Sequence, residues 1–209
     1  YTVYIIHHTH NDIGYSHLQT EVEQIQNNNI IQALNWIKNS VGGAEKPVWH
    51  IESLWAVENF YKTATIQQKQ DFKDAVKGGN IILSANYINI LTGLCNEEEL
   101  NWLTEYARMI EPELTAITSS MVTDIPGITA SGLRTQLQNG IKYLSFGPNY
   151  IETFPDRGDR VGSLVFEQGD QIFYWKNKIT DNDKLLVWTA GKGYSYFHGI
   201  SDDDKQKQW

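Results

Sequence analysis

The chain has 209 residues, 17 Lys and Arg against 25 Asp and Glu, and a formal net charge of −8. That acidic balance, with no basic cluster, argues against nucleic acid and anionic membranes as partners, and no apolar run approaches the ~18 residues of a membrane span. The one cysteine, Cys95, excludes an internal disulfide and a thiolate metal cage, and leaves the compartment open. The length allows a single β/α domain over 1–209 with a real core. The chain starts inside an apolar β-type run with neither an initiator Met nor a targeting segment, which suggests a piece of a longer protein.

Hydrophobic periodicity alternates between short β-like and longer helix-like runs. Tyr1 to His8 reads as a strand, and Val22, Ile25, Ile30, Ile31, Leu34 and Ile37 give residues 21–39 a helical spacing. Val48 to Ile51 is a second strand, followed by helices from Leu54 to about Lys62 and over 66–77, the latter stopped by Gly78-Gly79. Ile81 to Ala85 is a third strand. Residues 97–111 form a helix capped by Asn96, with Glu97, Glu98 and Glu99 favourably placed in its first turn. Thr115 to Thr123 is a fourth strand, 129–139 a helix closed by Asn139-Gly140, and Ile141 to Phe146 a fifth strand. Val161–Glu167, Gly169-Asp170 and Gln171–Trp175 read as a β-hairpin inserted near 161–175, and Leu185 to Thr189 is a last strand. This alternation predicts a parallel sheet with helices outside, open or closed as a barrel.

In such folds chemistry gathers at the C-terminal ends of the strands. The first strand ends in His7-His8-Thr9-His10-Asn11-Asp12-Ile13-Gly14-Tyr15. In an extended chain His8, His10 and Asp12 point to one side, and imidazole with carboxylate at that spacing suits a divalent metal, zinc above all. The second strand ends in His50-Ile51-Glu52, where Glu52 either faces the site or serves as an acid at a helix start. Asn86, Tyr87 and Asn89 follow the third strand, to bind a polyol or to make a turn. Asp124, ahead of Ile125-Pro126-Gly127, is either a turn residue or the carboxylate that meets His10 and Asp12 across the strand ends. Tyr194 and Tyr196 follow the last strand as an aromatic wall. Trp 7, Tyr 11 and Phe 7 make 25 aromatics, many in loop-like segments, where rings stack on the C–H face of a sugar as readily as they fill a core.

His8-Thr9-His10-Asn11-Asp12-Ile13-Gly14-Tyr15 resembles the His-x-His-Asn-Asp-x-Gly-Trp motif that opens the catalytic domain of glycoside hydrolase family 38, the retaining α-mannosidases. Trp49-His50-Ile51-Glu52, Asp124-Ile125-Pro126-Gly127-Ile128-Thr129, Gly140-Ile141-Lys142-Tyr143 and Gly193-Tyr194-Ser195-Tyr196 resemble later family segments in the same order. The resemblance implies a parallel β/α barrel of seven strands, most of them supplied by this N-terminal segment. It implies one zinc ion held by His10, Asp12 and Asp124, with Asp124 also the catalytic nucleophile. It implies a carbohydrate substrate of α-mannoside type, with Tyr15, Glu52, Tyr194 and Tyr196 in substrate binding. Tyr15 stands where the family has a sugar-stacking tryptophan, and Ile128 where it has a histidine. The family motifs that supply the acid/base and a fourth zinc ligand have no match here. A metal-dependent amidohydrolase or related phosphoesterase, using His8 with His10, is the competing enzyme class, with a metal-dependent carbohydrate deacetylase as a further alternative; a degenerate glycan-binding relative is the non-enzymatic one.

Overall fold

The computed structural model describes residues 7–40, 47–114, 117–149, 169–177, 183–190 and 194. The chain divides into two compact units, Tyr1–Ile88 with Asn101–Ser120, and Asn89–Leu100 with Met121–Trp209.

The first unit is built on a parallel three-stranded sheet in the order β1-β2-β3, with β1 His7–Thr9, β2 Trp49–Ile51 and β3 Ile81–Leu83. The register sets His7 opposite Trp49, His8 opposite His50 and Thr9 opposite Ile51. Helix α1 (Gln19–Asn39) buries Val22, Gln26, Ile30, Ala33 and Leu34, one stripe at helical spacing. Helix α2 (Leu54–Thr63) is buried on most of its circumference, through Leu54, Trp55, Ala56, Val57, Asn59 and Phe60. Helix α3 (Ile66–Lys77) buries only Phe72 and Ala75, and starts at a capping box in which Thr65 Oγ1 accepts from Gln68 N–H and Gln68 Oε1 from Thr65 N–H. Phe60 and Phe72 meet in the core with ring centroids 5.4 Å apart.

Two loops fix the strand-to-helix turns. The Ser53 side chain makes no cap to α2. Instead the Leu54 and Trp55 amides each donate at 3.0 Å to the carbonyls of Asn86 and Tyr87, which satisfies donors that a helix start leaves orphaned. Asn86 Nδ2 donates to Ser120 Oγ, and Ala85 N–H to Ser119 O, so the segment after β3 is held in turn.

A four-stranded sheet has the order β4-β5-β7-β6, with β4 Ser119–Thr123, β5 Tyr143–Gly147, β6 Gln171–Lys176 and β7 Lys184–Thr189; it belongs to the second unit except for Ser119 and Ser120. The first turn of helix α4 (Glu97–Ile110) belongs to this unit and the rest to the first; Asn96 caps it reciprocally with Glu99. Helix α5 (Ala130–Gln138) starts at Thr129, whose hydroxyl accepts from Gly132 N–H and whose amide donates to Thr92 Oγ1. Val122, Leu144, Phe146, Leu185 and Val187 are buried in this unit.

The expected seven-strand parallel barrel is therefore corrected. Among the described residues the strands form two separate open sheets, and the second is mixed: β5 pairs parallel to β7, but β6 runs antiparallel to β7. An antiparallel edge breaks the all-parallel ladder that such a barrel requires. Of the expected hairpin, the second strand is present as β6. Val161–Glu167 lies outside the described residues, and Gln171–Lys176 pairs with Lys184–Thr189. No helix of the described residues is long and apolar enough to cross a membrane.

Candidate functional site

The register of β1 and β2 explains the polar cluster of the first unit. Since His8 lies opposite His50 and Thr9 opposite Ile51, continuing one residue brings His10 level with Glu52. Side chains two apart share a face, so two successive levels of polar groups stack at the strand ends. Glu52 is the centre of this cluster, with 1% of its side chain exposed. Its carboxylate oxygens lie 3.1 and 3.2 Å from His10 Nδ1 and 3.6 Å from His8 Nδ1. On the other side of the His10 ring, Nε2 lies 3.4 Å from Asp12 Oδ1. His10 thus stands between a buried carboxylate and a partly exposed one.

The backbone that carries His10 and Asp12 is held from two directions. Gln26 of α1 is buried, and its Nε2 donates to His10 O at 3.3 Å. Asn11 Nδ2 donates to Ser53 Oγ, tying the loop after β1 to the turn after β2. Asn11, Gln26, His50, Glu52 and Ser53 line a small recess beside this loop. Burial pushes the His50 imidazole down to about 4, the neighbouring His8 adds to the drop, and Glu52 opposes it. His50 is therefore neutral at pH 7, which suits an Nε2 that is buried without a hydrogen-bond partner among the described residues.

Asp124 belongs to the second unit. It follows β4 at φ 62°, the one non-glycine residue with positive φ among the described residues. Its amide donates to Gly147 O at 3.0 Å, and Asn149 Nδ2 donates to its Oδ1. A short polar side chain tolerates this left-handed geometry better than most, and backbone strain of this kind clusters at functional positions. Tyr194 lies beside the same strand end: its amide donates to Pro148 O at 3.2 Å, and its Cβ approaches Gly147 so closely that a methyl group there would come within 2.8 Å.

The remaining candidates are distributed as follows. Tyr15 is 90% exposed, so its ring is free for an apolar partner. Tyr196 lies outside the described residues. Asn86 and Tyr87 donate to Ser120 and Glu58 in the first unit, and Asn89 donates to Thr123 in the second. Sequence reasoning did not assign Gln26, Asn11, Ser53, Asn149 or Gly147. A signal existed only for Asn11, inside the first motif; the others act through contacts distant in sequence.

No family model matches the sequence, and no curated protein matches it at a significant level. Solved structures do match in fold. An α-mannosidase from Enterococcus faecalis V583 matches with TM-score 0.66 and 14% identity, over 91% of this chain and 20% of that one. A protein in glycosyl hydrolase family 38 from Enterococcus faecalis matches with TM-score 0.63 and 13% identity, over 99% of this chain and 20% of that one. The chain resembles family 38 in fold as it does in motif. A 4-α-glucanotransferase from Thermococcus litoralis matches with TM-score 0.55 and 11% identity, over 88% of this chain and 27% of that one. At these identities the likeness to family 38 concerns the fold, and the chain spans about a fifth of the length of the first two structures.

Proposed function

We propose that the chain carries the metal-binding, nucleophile-bearing part of a zinc-dependent retaining glycoside hydrolase acting on α-mannoside-type linkages. The observation that carries this reading is the His10–Asp12 pair. Two ligand atoms bound to one tetrahedral zinc at ~2.0–2.1 Å lie about 3.3 Å apart, and His10 Nε2 lies 3.4 Å from Asp12 Oδ1. Imidazole nitrogen and carboxylate oxygen are both zinc donors, so the pair fits the ion. Asp12 faces the ring nitrogen of His10 that Glu52 does not occupy, which supports pairing His10 with Asp12 over pairing His8 with His10.

In this reading His10, Asp12 and Asp124 hold the ion, and the family resemblance is what adds Asp124. When bound, zinc supplies positive charge for two adjacent sugar hydroxyls. This chain's own residues supply the nucleophile and its surroundings. The Asp124 carboxylate attacks the anomeric carbon and forms a glycosyl ester as the bond to the leaving oxygen breaks, an aryl group departing as its phenolate. Water then attacks the anomeric carbon, gives its proton to solvent and frees the carboxylate, with retention of configuration. The hydrogen bond from Asn149 holds one Asp124 oxygen in place. Tyr15 presents an exposed ring for the apolar face of the sugar, with Tyr194 and Tyr196 as further substrate contacts.

The test is hydrolysis of aryl α-mannosides by the zinc-loaded protein and by a chelator-treated control, together with a 2-deoxy-2-fluoroglycoside that traps the ester. Metal-dependent release of the aryl group and labelling of Asp124 are expected. Activity that survives complete metal removal, or labelling elsewhere, would overturn the assignment.

A further inference from the structure

Glu52 is placed by the arrangement of the first unit where a substrate contact should not be. A residue that grips sugar must reach the solvent side of the site, and the Glu52 side chain is 1% exposed. A carboxylate buried this deeply requires donors. Among the groups that face it are the two imidazoles of β1 and the loop after it: His10 Nδ1 within 3.2 Å of both oxygens and His8 Nδ1 at 3.6 Å. His50, on β2 two residues before Glu52, is held neutral by burial and brings no charge to it.

We infer that Glu52 is a positioning residue that fixes the tautomer and ring orientation of His10. A neutral imidazole carries one N–H and one lone pair. With Nδ1–H donated to Glu52, the lone pair falls on Nε2, the nitrogen that faces Asp12 at 3.4 Å. That is the form a metal requires, and a carboxylate behind a ligating imidazole also raises its basicity. The opposite tautomer would put Nε2–H against the ion and leave the Nδ1 lone pair against a buried carboxylate, two acceptors facing each other. Gln26 on the His10 carbonyl and Ser53 on Asn11 keep the backbone from turning the ring out of this position. The inference rests on the proposed zinc site and deepens it: Glu52 acts on the ligand and not on the sugar.

The experiment uses the full chain, as wild type and as Glu52→Gln, which keeps the volume and removes the charge. Zinc dissociation constants come from competition with a chromophoric chelator, and the protonated nitrogen of His10 in metal-free wild type comes from long-range ¹H–¹⁵N NMR. The expected results are an Nδ1–H tautomer and a dissociation constant raised about 10–100-fold in Glu52→Gln, with unchanged circular dichroism. An Nε2–H tautomer, or equal zinc affinity in a folded Glu52→Gln protein, would overturn the inference and leave the zinc site standing. Failure of the wild type to bind zinc would overturn the proposed function and this inference with it. If Glu52→Gln does not fold, the tautomer measurement on the wild type decides alone.

Discussion

The amide of Asp124 donates to the carbonyl of Gly147 at 3.0 Å, so the turn at the end of β4 is pinned to the end of β5. This bond holds the one described non-glycine residue that lies in the left-handed region, and it presents the carboxylate proposed as nucleophile. Asparagine tolerates the same backbone geometry and keeps an oxygen for Asn149 Nδ2, whereas a β-branched residue does neither. Asp124→Asn should therefore lower turnover on aryl α-mannosides severely while stability changes by less than about 0.5 kcal/mol. Asp124→Val should cost about 1–3 kcal/mol from the backbone alone. Urea unfolding of both variants beside their turnover checks this, and a fully active Asp124→Asn protein refutes the nucleophile.

The same strand end sets a packing prediction. Gly147 faces Tyr194 with no room for a side chain, since an added methyl would lie 2.8 Å from Tyr194 Cβ and 3.1 Å from its Cα. Gly147→Ala should destabilise the protein by about 1–3 kcal/mol, as overpacking does, or push Tyr194 away. Unfolding midpoints together with tyrosine chemical shifts report which; no change in either would mean that this contact does not exist in solution.

His50 gives the protein an acid-sensitive term. Its folded imidazole titrates at about 4 against 6.5 for the ordinary value, so the unfolded chain takes up the proton first. The residue contributes no pH dependence above about pH 6.5, and stability falls as the pH drops from there towards 4, by up to about 3 kcal/mol. Denaturant titrations of the wild type and His50→Leu at pH 7, 6 and 5 should show a shallower fall in the variant. Parallel curves would remove His50 as the cause.

Away from the proposed zinc ligands, Tyr87 anchors the loop that follows β3. Its hydroxyl donates to Glu58 at 2.5 Å, and Tyr106 and Lys62 reach the same carboxylate at 3.4 and 3.1 Å. Burial pushes the Glu58 carboxyl up, but these three partners outweigh it and hold the group below its ordinary value. Tyr87→Phe should cost about 1–2 kcal/mol, because a partly buried carboxylate loses a donor. A double-mutant cycle with Glu58→Gln should show the two losses to be non-additive; strict additivity would argue against the bond.

The helices were the legible part of this chain. Regular apolar spacing gave α1, α2 and α3 nearly to the residue, and Asn96, Gly78-Gly79 and Asn139-Gly140 marked their helix ends for local reasons. Sheet order was not legible. The Gln171–Lys176 run carries β-type residues whatever it pairs with, and its antiparallel match to Lys184–Thr189 depends on chain direction, which side-chain pattern does not encode. At the site, the cluster of His8, His10 and Asp12 stood out because the residues are adjacent in sequence. The role of Glu52 did not, because the β1–β2 register that brings it level with His10 is a long-range fact. As a bare sequence, Glu52 reads equally well as an acid at a helix start.

The amides of Leu54 and Trp55, capped by the carbonyls of Asn86 and Tyr87, also make this turn depend on a distant part of the chain. The turn that delivers Glu52 is closed by atoms from beyond α3, so pairing of β1 with β2 alone does not complete it. The chain must travel out through α3, return along β3 and lay its next loop over the start of α2 before the buried carboxylate has a fixed seat. Closing a loop of that length costs conformational entropy that forming a local helix does not. The seat of the polar cluster therefore depends on a contact of high sequence separation, and exchange of the Leu54 and Trp55 amide hydrogens reports the integrity of a loop well separated from them along the chain.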